Sequence, residues 1–211
     1  ILRSGDRGRT WTEWSRPELP APVFGGVKQV LGPCLHPSGR LVMLVWEALT
    51  RMSPDHERFI STQSVMHGAY SDDQGKTWKL TAEIDISPFL SVDPEQSKIF
   101  VSEGGTAVAS FRCHRNQEEL DNFNGSVGLI RSRDGGESWG EISMIKEYNP
   151  RKPYHWYNES VIQELPDGRW VCFLRCNQKD TRRLSLWRCY SSDKGFTWSE
   201  VEHVRGLGKV R

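Results

Sequence analysis

The sequence predicts an all-β chain, a β-propeller of four-stranded antiparallel blades, and three observations carry that expectation. The first is an eight-residue skeleton, Ser-x-Asp-x-Gly-x-Thr-Trp. It occurs as SGDRGRTW at 4–11, SDDQGKTW at 71–78, SRDGGESW at 132–139 with Ser for Thr, and SSDKGFTW at 191–198. Its serines start 67, 61 and 59 residues apart, so a unit of about 60 residues repeats. The second is period-2 apolar alternation on both sides of each copy. The third is a tryptophan count of nine, nearly half of it supplied by Trp11, Trp78, Trp139 and Trp198, which close the four copies.

Taken in order, residues 1–20 give one outer strand around the first copy. The first blade spans 25–86: VKQVLGPCL, the turn HPSG, RLVMLVW, a long loop, SVMHGAY, the second copy and TWKLTAEI. The second spans 90–148, with SKIFV, SEGG, TAVASFR, a loop, SVGLIR, the third copy and SWGEISMI. The third spans 154–206, with SVIQEL, PDG, RWVCFLR, a polar loop, LSLWRCY, the fourth copy and TWSEVEHV. A lone blade cannot cover both of its faces, whereas stacked neighbours can. A β-sandwich would not be expected to repeat one turn at every fourth strand. Three blades and an orphan strand are fewer than a closed ring normally holds, which points to a segment of a larger propeller or to closure by association.

Each copy has the chemistry of a tight turn between the third and fourth strands. Asp6, Asp73, Asp134 and Asp193 can accept hydrogen bonds from backbone N–H groups a few residues on, the glycine supplies a positive φ, and the tryptophan anchors the turn by burying its ring. The repeated stretch is therefore scaffold.

Composition excludes some functions. With 28 basic and 27 acidic residues the net charge is +1, which gives no field for nucleic acid or an anionic membrane. The longest apolar run, LVMLVW at 41–46, is far short of a membrane span. The sequence opens at Ile1 with no charged-then-apolar leader, so the compartment is not legible. The five cysteines, Cys34, Cys113, Cys172, Cys176 and Cys189, lack the spacing of a zinc site and read as buried thiols. No metal or organic cofactor is implied.

The skeleton resembles the Asp box, or bacterial neuraminidase repeat, of the sialidase superfamily, and the likeness covers the whole chain at the level of blades. It implies a six-bladed ring, of which the remaining blades would lie elsewhere in the parent chain. NESVIQELPDGRWVCFLR at 158–175 is similar to the sialidase segment in which an acidic residue opens an inner strand and an Arg ends the next. By that resemblance Glu159 matches the glutamate that assists a nucleophilic tyrosine, and Arg175 matches one of three arginines that grip a substrate carboxylate. The start of a first strand and the end of a second lie at one mouth of a blade, opposite the repeated turns, which is consistent with the match. Aligning the repeats puts Arg112 at the Arg175 position, Glu95 or Gln96 near the Glu159 position, and Trp46 as an apolar wall in the first blade. Tyr154 and Trp156, in the run YHWY before Glu159, offer rings for stacking on a sugar.

The resemblance also shows what this stretch does not hold. The Arg-Ile-Pro strand, the acid/base Asp, the third Arg and the nucleophilic Tyr of sialidases have no match here, and Asp55, Glu57 and Asp121 in the mouth loops are equivalent candidates for a substitute acid. The expected function is a sialidase-type glycosidase that releases a terminal acidic sugar. The alternatives are a non-catalytic propeller that binds glycan or protein, and a relative that cleaves another sugar such as arabinan.

Overall fold

The computed structural model describes residues 1–15, 27–52, 59–94, 98–122, 124–149, 151, 154–178 and 184–205. Apolar strands separated by tight turns form two four-stranded antiparallel sheets, one five-stranded sheet between them in chain order, and a short ribbon. The ribbon pairs β1 (Leu2–Arg3) with β2 (Thr12–Glu13) around the first turn. The first sheet orders β3 (Val27–Leu35), β4 (Leu41–Met52), β5 (Phe59–Ser71) and β6 (Lys79–Glu83) as consecutive neighbours.

In the second sheet the edge position beside β9 is shared by two short strands, β7 (Ser91–Asp93) and β8 (Phe100–Val101). Both pair with β9 (Ala107–His114), which is followed by helix α1 (Gln117–Asp121), β10 (Ser126–Ser132) and β11 (Gly140–Lys146). The third sheet runs β12 (Tyr154–Glu164), β13 (Trp170–Gln178), β14 (Leu184–Ser191) and β15 (Glu202–His203).

The sheets stack in chain order because each presents two apolar faces. On β4, Val42, Leu44, Trp46 and Ala48 join Ala107, Ala109, Phe111 and Cys113 of β9 in one core. The opposite residue of β9, Val108, joins Leu129, Ile162, Trp170, Cys172 and Leu174 in the next. Every residue of β9 is therefore buried, as expected for the middle layer of a stack. Edge-to-face pairs Phe89–Phe111 and Phe100–Trp170 sit in the two cores, with centroids 6.0 and 5.2 Å apart.

The four turns form one hydrogen-bonded device. In the second, Ser71 Oγ donates to Asp73 Oδ1 at 2.8 Å and accepts from Gly75 N at 2.7 Å. Asp73 accepts from Thr77 N at 2.8 Å and from Thr77 Oγ1 at 2.7 Å, and Trp78 Nε1 donates to Gly75 O at 3.1 Å. Asp6, Asp134 and Asp193 accept the same pair of bonds from Thr10, Ser138 and Thr197. The residue before the glycine is also left-handed, with φ of 61°, 61° and 59° at Arg7, Gln74 and Lys194. Two successive left-handed residues make a turn tight enough for the carboxylate to close.

The turns also hold the sheets together, which the sequence does not announce. Trp14 Nε1 donates to Gln74 O at 3.0 Å, and Ser15 Oγ donates to Gly75 O. Ser143 Oγ donates to Gly195 O at 2.6 Å, and Arg131 Nη2 to Lys194 O at 3.0 Å. At the junction between, Ala82 occupies the place of Ser15 and Ser143. There Arg40 reaches Asp134 O and Gly135 O at 3.3 and 3.4 Å.

Three expectations are corrected. Trp11 does not bury its ring; it is 60% exposed, because no sheet covers its turn among the described residues. Trp46 does not wall the mouth: it is buried and its Nε1 donates to Val92 O of the next sheet at 2.8 Å. The first strand of the third sheet does not begin at SVIQEL: β12 takes in the run YHWY and pairs with β13 as far as Gln178.

Candidate functional site

Register fixes which end of the third sheet carries Glu159 and Arg175. Trp170 stands opposite Ser191, the first residue of the fourth turn, and Arg175 lies five residues further along β13. At 3.3 Å per residue that puts Arg175 about 16 Å from the turn end. On the neighbouring strand, Asn158 is opposite Arg175 and Ser160 opposite Leu174, so Glu159 is an extra residue, a β-bulge.

The bulge aims the carboxylate. Glu159 has φ of 21°, outside the range an ordinary strand residue adopts, and its N–H donates to Asn158 Oδ1 at 2.8 Å. Without the extra residue, alternation would set its side chain on the wrong face. With it, Glu159 Oε1 lies 2.8 Å from Arg175 Nη1, both side chains being about a quarter exposed (24% and 26%). Arg175 Nε is buried and has no hydrogen-bond partner among the described residues. The arrangement is a carboxylate and a guanidinium, held together yet partly open to solvent.

One sheet earlier the same register recurs in a closed form. Asp93 stands opposite Arg112 across β7 and β9, and Arg112 Nη2 meets Asp93 Oδ2 at 2.7 Å. The two side chains are 3% and 8% exposed, so Arg112 is not presented at an open mouth as expected but turned into an interior ion pair. Gly125 makes room for it, since a Cβ there would come within 2.8 Å of Arg112 Cγ. Glu95 and Gln96, expected near this place, lie outside the described residues. Asp93 is the residue that sequence comparison missed. Its signal was the alternation Ser-Val-Asp in SVDPEQS, which puts Ser91 and Asp93 on one face.

Nearby, His114 is buried and neither ring nitrogen has a partner among the described residues. Burial first, and the Arg112 charge second, push it down to about 3, so it stays neutral. Of the loop acids, Asp121 pairs with Arg51, while Asp55 and Glu57 lie outside the described residues. The side chains of Tyr154 and Trp156 also lie outside them. Among the described residues, no three His, Cys, Asp or Glu side chains converge as metal ligands, and no helix is long and apolar enough to cross a membrane.

Residues 1–207 match the family model of the BNR repeat-like domain, and the chain belongs to that family. No curated protein matches the sequence. Among solved structures the chain is similar to an α-L-arabinanase of Penicillium chrysogenum complexed with arabinobiose, at 19% identity and a TM-score of 0.67, covering 96% of this chain and 57% of that one. It is also similar to the Hadza microbial sialidase Hz136, at 20% identity and a TM-score of 0.57, covering 94% and 39%. The NanB sialidase of Streptococcus pneumoniae follows at 13% identity and a TM-score of 0.58, covering 97% and 46%. The chain thus spans between 39% and 57% of these structures, and the likeness establishes the fold.

Proposed function

We propose that this chain supplies consecutive blades of a glycoside hydrolase propeller that releases a terminal sugar. In this reading the four turns are Asp boxes and the three sheets belong to a six-bladed ring. The observation that carries it is the Glu159–Arg175 pair, 2.8 Å apart and partly exposed at the end away from the turns. A carboxylate on a strained bulge is a group placed for chemistry rather than for packing. Glu159 serves as the base that activates a nucleophile from outside this stretch, and Arg175 grips the carboxylate of a sialic acid or similar sugar through its planar fork. Arg112 acts by holding its sheet, and Tyr154 and Trp156 flank the sugar.

A second reading, a neutral sugar such as an arabinoside, is favoured by the pairing of arginines. Arg175, Arg112, Arg51 and Arg115 face Glu159, Asp93, Asp121 and Glu147, so each of these cations is already neutralised by the chain. Two assays on the protein containing this chain, with a sialoside and an α-L-arabinofuranoside, separate the readings. For the acidic sugar, Arg175→Lys raises KM on the sialoside, and Glu159→Gln lowers kcat by ~10²-fold or more with binding nearly intact. Faster turnover of the arabinoside selects the neutral sugar. Turnover of neither, with glycan still bound, selects a non-catalytic propeller.

A further inference from the structure

A groove crosses the turn face where the second and third sheets meet, at the opposite end from Glu159. Phe196 stands in it, 48% exposed, at the sixth position of the fourth turn. The same position in the other turns is Arg9, Lys76 and Glu137, each exposed and charged. The turn itself does not need the ring: its side-chain bonds run through Ser191, Asp193 and Thr197. An aromatic ring has thus been placed in water where the repeat otherwise keeps a charge.

The surroundings show what such a ring would meet. The Arg131 guanidinium lies 4.1 Å from the ring centroid and is fixed by Glu141 O at 2.7 Å and Lys194 O at 3.0 Å, so one face is covered by a rigid support. Phe196 lines two cavities and forms the ridge between them. One is about 510 Å³, with Glu103, Thr106 and Arg133 in its wall; the other is about 540 Å³, with Tyr148, Asn149 and Ser199. Three of the bordering cations are paired with carboxylates, Arg133 with Glu141 at 2.8 Å, Lys146 with Glu200 at 3.2 Å, and Lys194 with Glu164, while the fourth, Arg131, is held by the two carbonyl oxygens.

We propose that this groove is a second glycan-binding site, taking an uncharged oligosaccharide that lies across Phe196. A sugar ring offers a C–H face to an exposed aromatic and hydroxyls around its rim, and the flanking hydroxyl, amide and carboxylate groups match that rim. Two cavities, one on either side of the ridge, fit a chain of sugars better than a single residue. The walls set Arg131, Arg133, Lys146 and Lys194 against Glu103, Glu147, Asp193 and Glu200, which leaves no net positive charge to hold an acidic sugar. The choice of a glycan rests on the function proposed above; the ridge and its flanks do not.

The test is affinity electrophoresis of the protein containing this chain through gels carrying linear arabinan, xylan, polysialic acid or a casein digest. Arabinan or xylan retards the wild type, Phe196→Trp keeps the retardation, and Phe196→Lys and Phe196→Glu each weaken apparent affinity by about fivefold or more. Lys and Glu hold this position in sibling turns, so both variants are compatible with the turn, and their opposite charges separate loss of the ring from a change of field. The proposal falls if neither neutral polymer retards the wild type, if both charged variants are retarded as before, or if polysialic acid or casein peptides bind in a Phe196-dependent way instead. Absence of hydrolysis with Phe196-dependent retardation would sink the catalytic reading alone.

Discussion

Arg112 faces Asp93 at 2.7 Å, and Arg175 faces Glu159 at 2.8 Å, from equivalent places on neighbouring sheets. Asp93 reaches its arginine from a regular strand position directly opposite, whereas Glu159 does so from a bulge beside Asn158. The first pair is sealed, at 3% and 8% exposure, and the second is open to solvent. Only an open pair can exchange one partner for a ligand without unpacking a sheet, which is why the third sheet rather than the second carries the proposed chemistry.

The sealed pair makes a stability prediction. Asp93→Asn leaves the Arg112 charge buried without its carboxylate, and should cost about 3–5 kcal/mol. The double variant Asp93→Asn, Arg112→Gln should cost less than the single one. Urea denaturation of the wild type, the two single variants and the double variant measures both; a double variant as unstable as the sum of the singles contradicts the coupling.

Stability should fall in two steps as the solution is acidified. His114 is held at about 3 in the fold against 6.5 when free, so from pH 6.5 downward the unfolded chain takes up a proton that the folded chain refuses. That loss continues to about pH 3. The turn carboxylates Asp6, Asp73 and Asp193 are lowered to about 2 by hydrogen bonds from Thr10, Thr77 and Thr197, against an ordinary 3.8. Their contribution is whole above pH 4 and disappears as the pH falls toward 2. Denaturation midpoints against pH should lose the upper step in His114→Gln and show a shallower lower step in Asp73→Asn.

Junction glycines should be intolerant where a neighbouring sheet touches them. A Cβ on Gly68 would sit 2.5 Å from Trp139 Nε1, so Gly68→Ala should cost about 1–3 kcal/mol through overpacking of the first two sheets. Gly140 has nothing within 4 Å of such a Cβ, and Gly140→Ala should be nearly neutral. Thermal melts of the two variants compare them directly.

Thiol reactivity should follow burial. Cys113, Cys172, Cys176 and Cys189 are buried, and burial raises the thiol pKa of Cys113 and Cys172; Cys34 is half-buried. Titration with a disulfide reagent should modify Cys34 alone in the native state and all five cysteines after denaturation. Rapid native labelling of Cys172 or Cys189 would contradict the packing of the third sheet.

The strands, their order and the four turns were legible because each rests on local chemistry: short apolar runs bounded by turn residues for β4 and β13, and Asp with Gly at fixed spacing for the turns. What escaped was set by contacts between distant segments. Nothing in NES marks Glu159 as a bulge, since no glycine signals it and the residue is held there by pairing between β12 and β13. Asp93 was passed over because the edge strand beside β9 is broken, and its short first piece carries little periodicity. Trp46 belongs to the second-strand position of a mouth residue, yet its indole finds Val92 O of the next sheet before it finds solvent. Phe196 lay in plain view as the odd member of a repeated position, and only the cavities beside it give that oddness a meaning.

The carbonyl contacts of the turns have a direction. Gln74 and Gly75 are held by Trp14 and Ser15, Asp134 and Gly135 by Arg40, Lys194 and Gly195 by Arg131 and Ser143; in every case the later turn is clasped by the earlier sheet. The layers therefore overlap like roof tiles, each lying over the edge of the one made before it. A ribosome delivers them in that same order, so the residues of every clasp precede the turn they hold, and a defect in a clasp falls on the layer that comes after it.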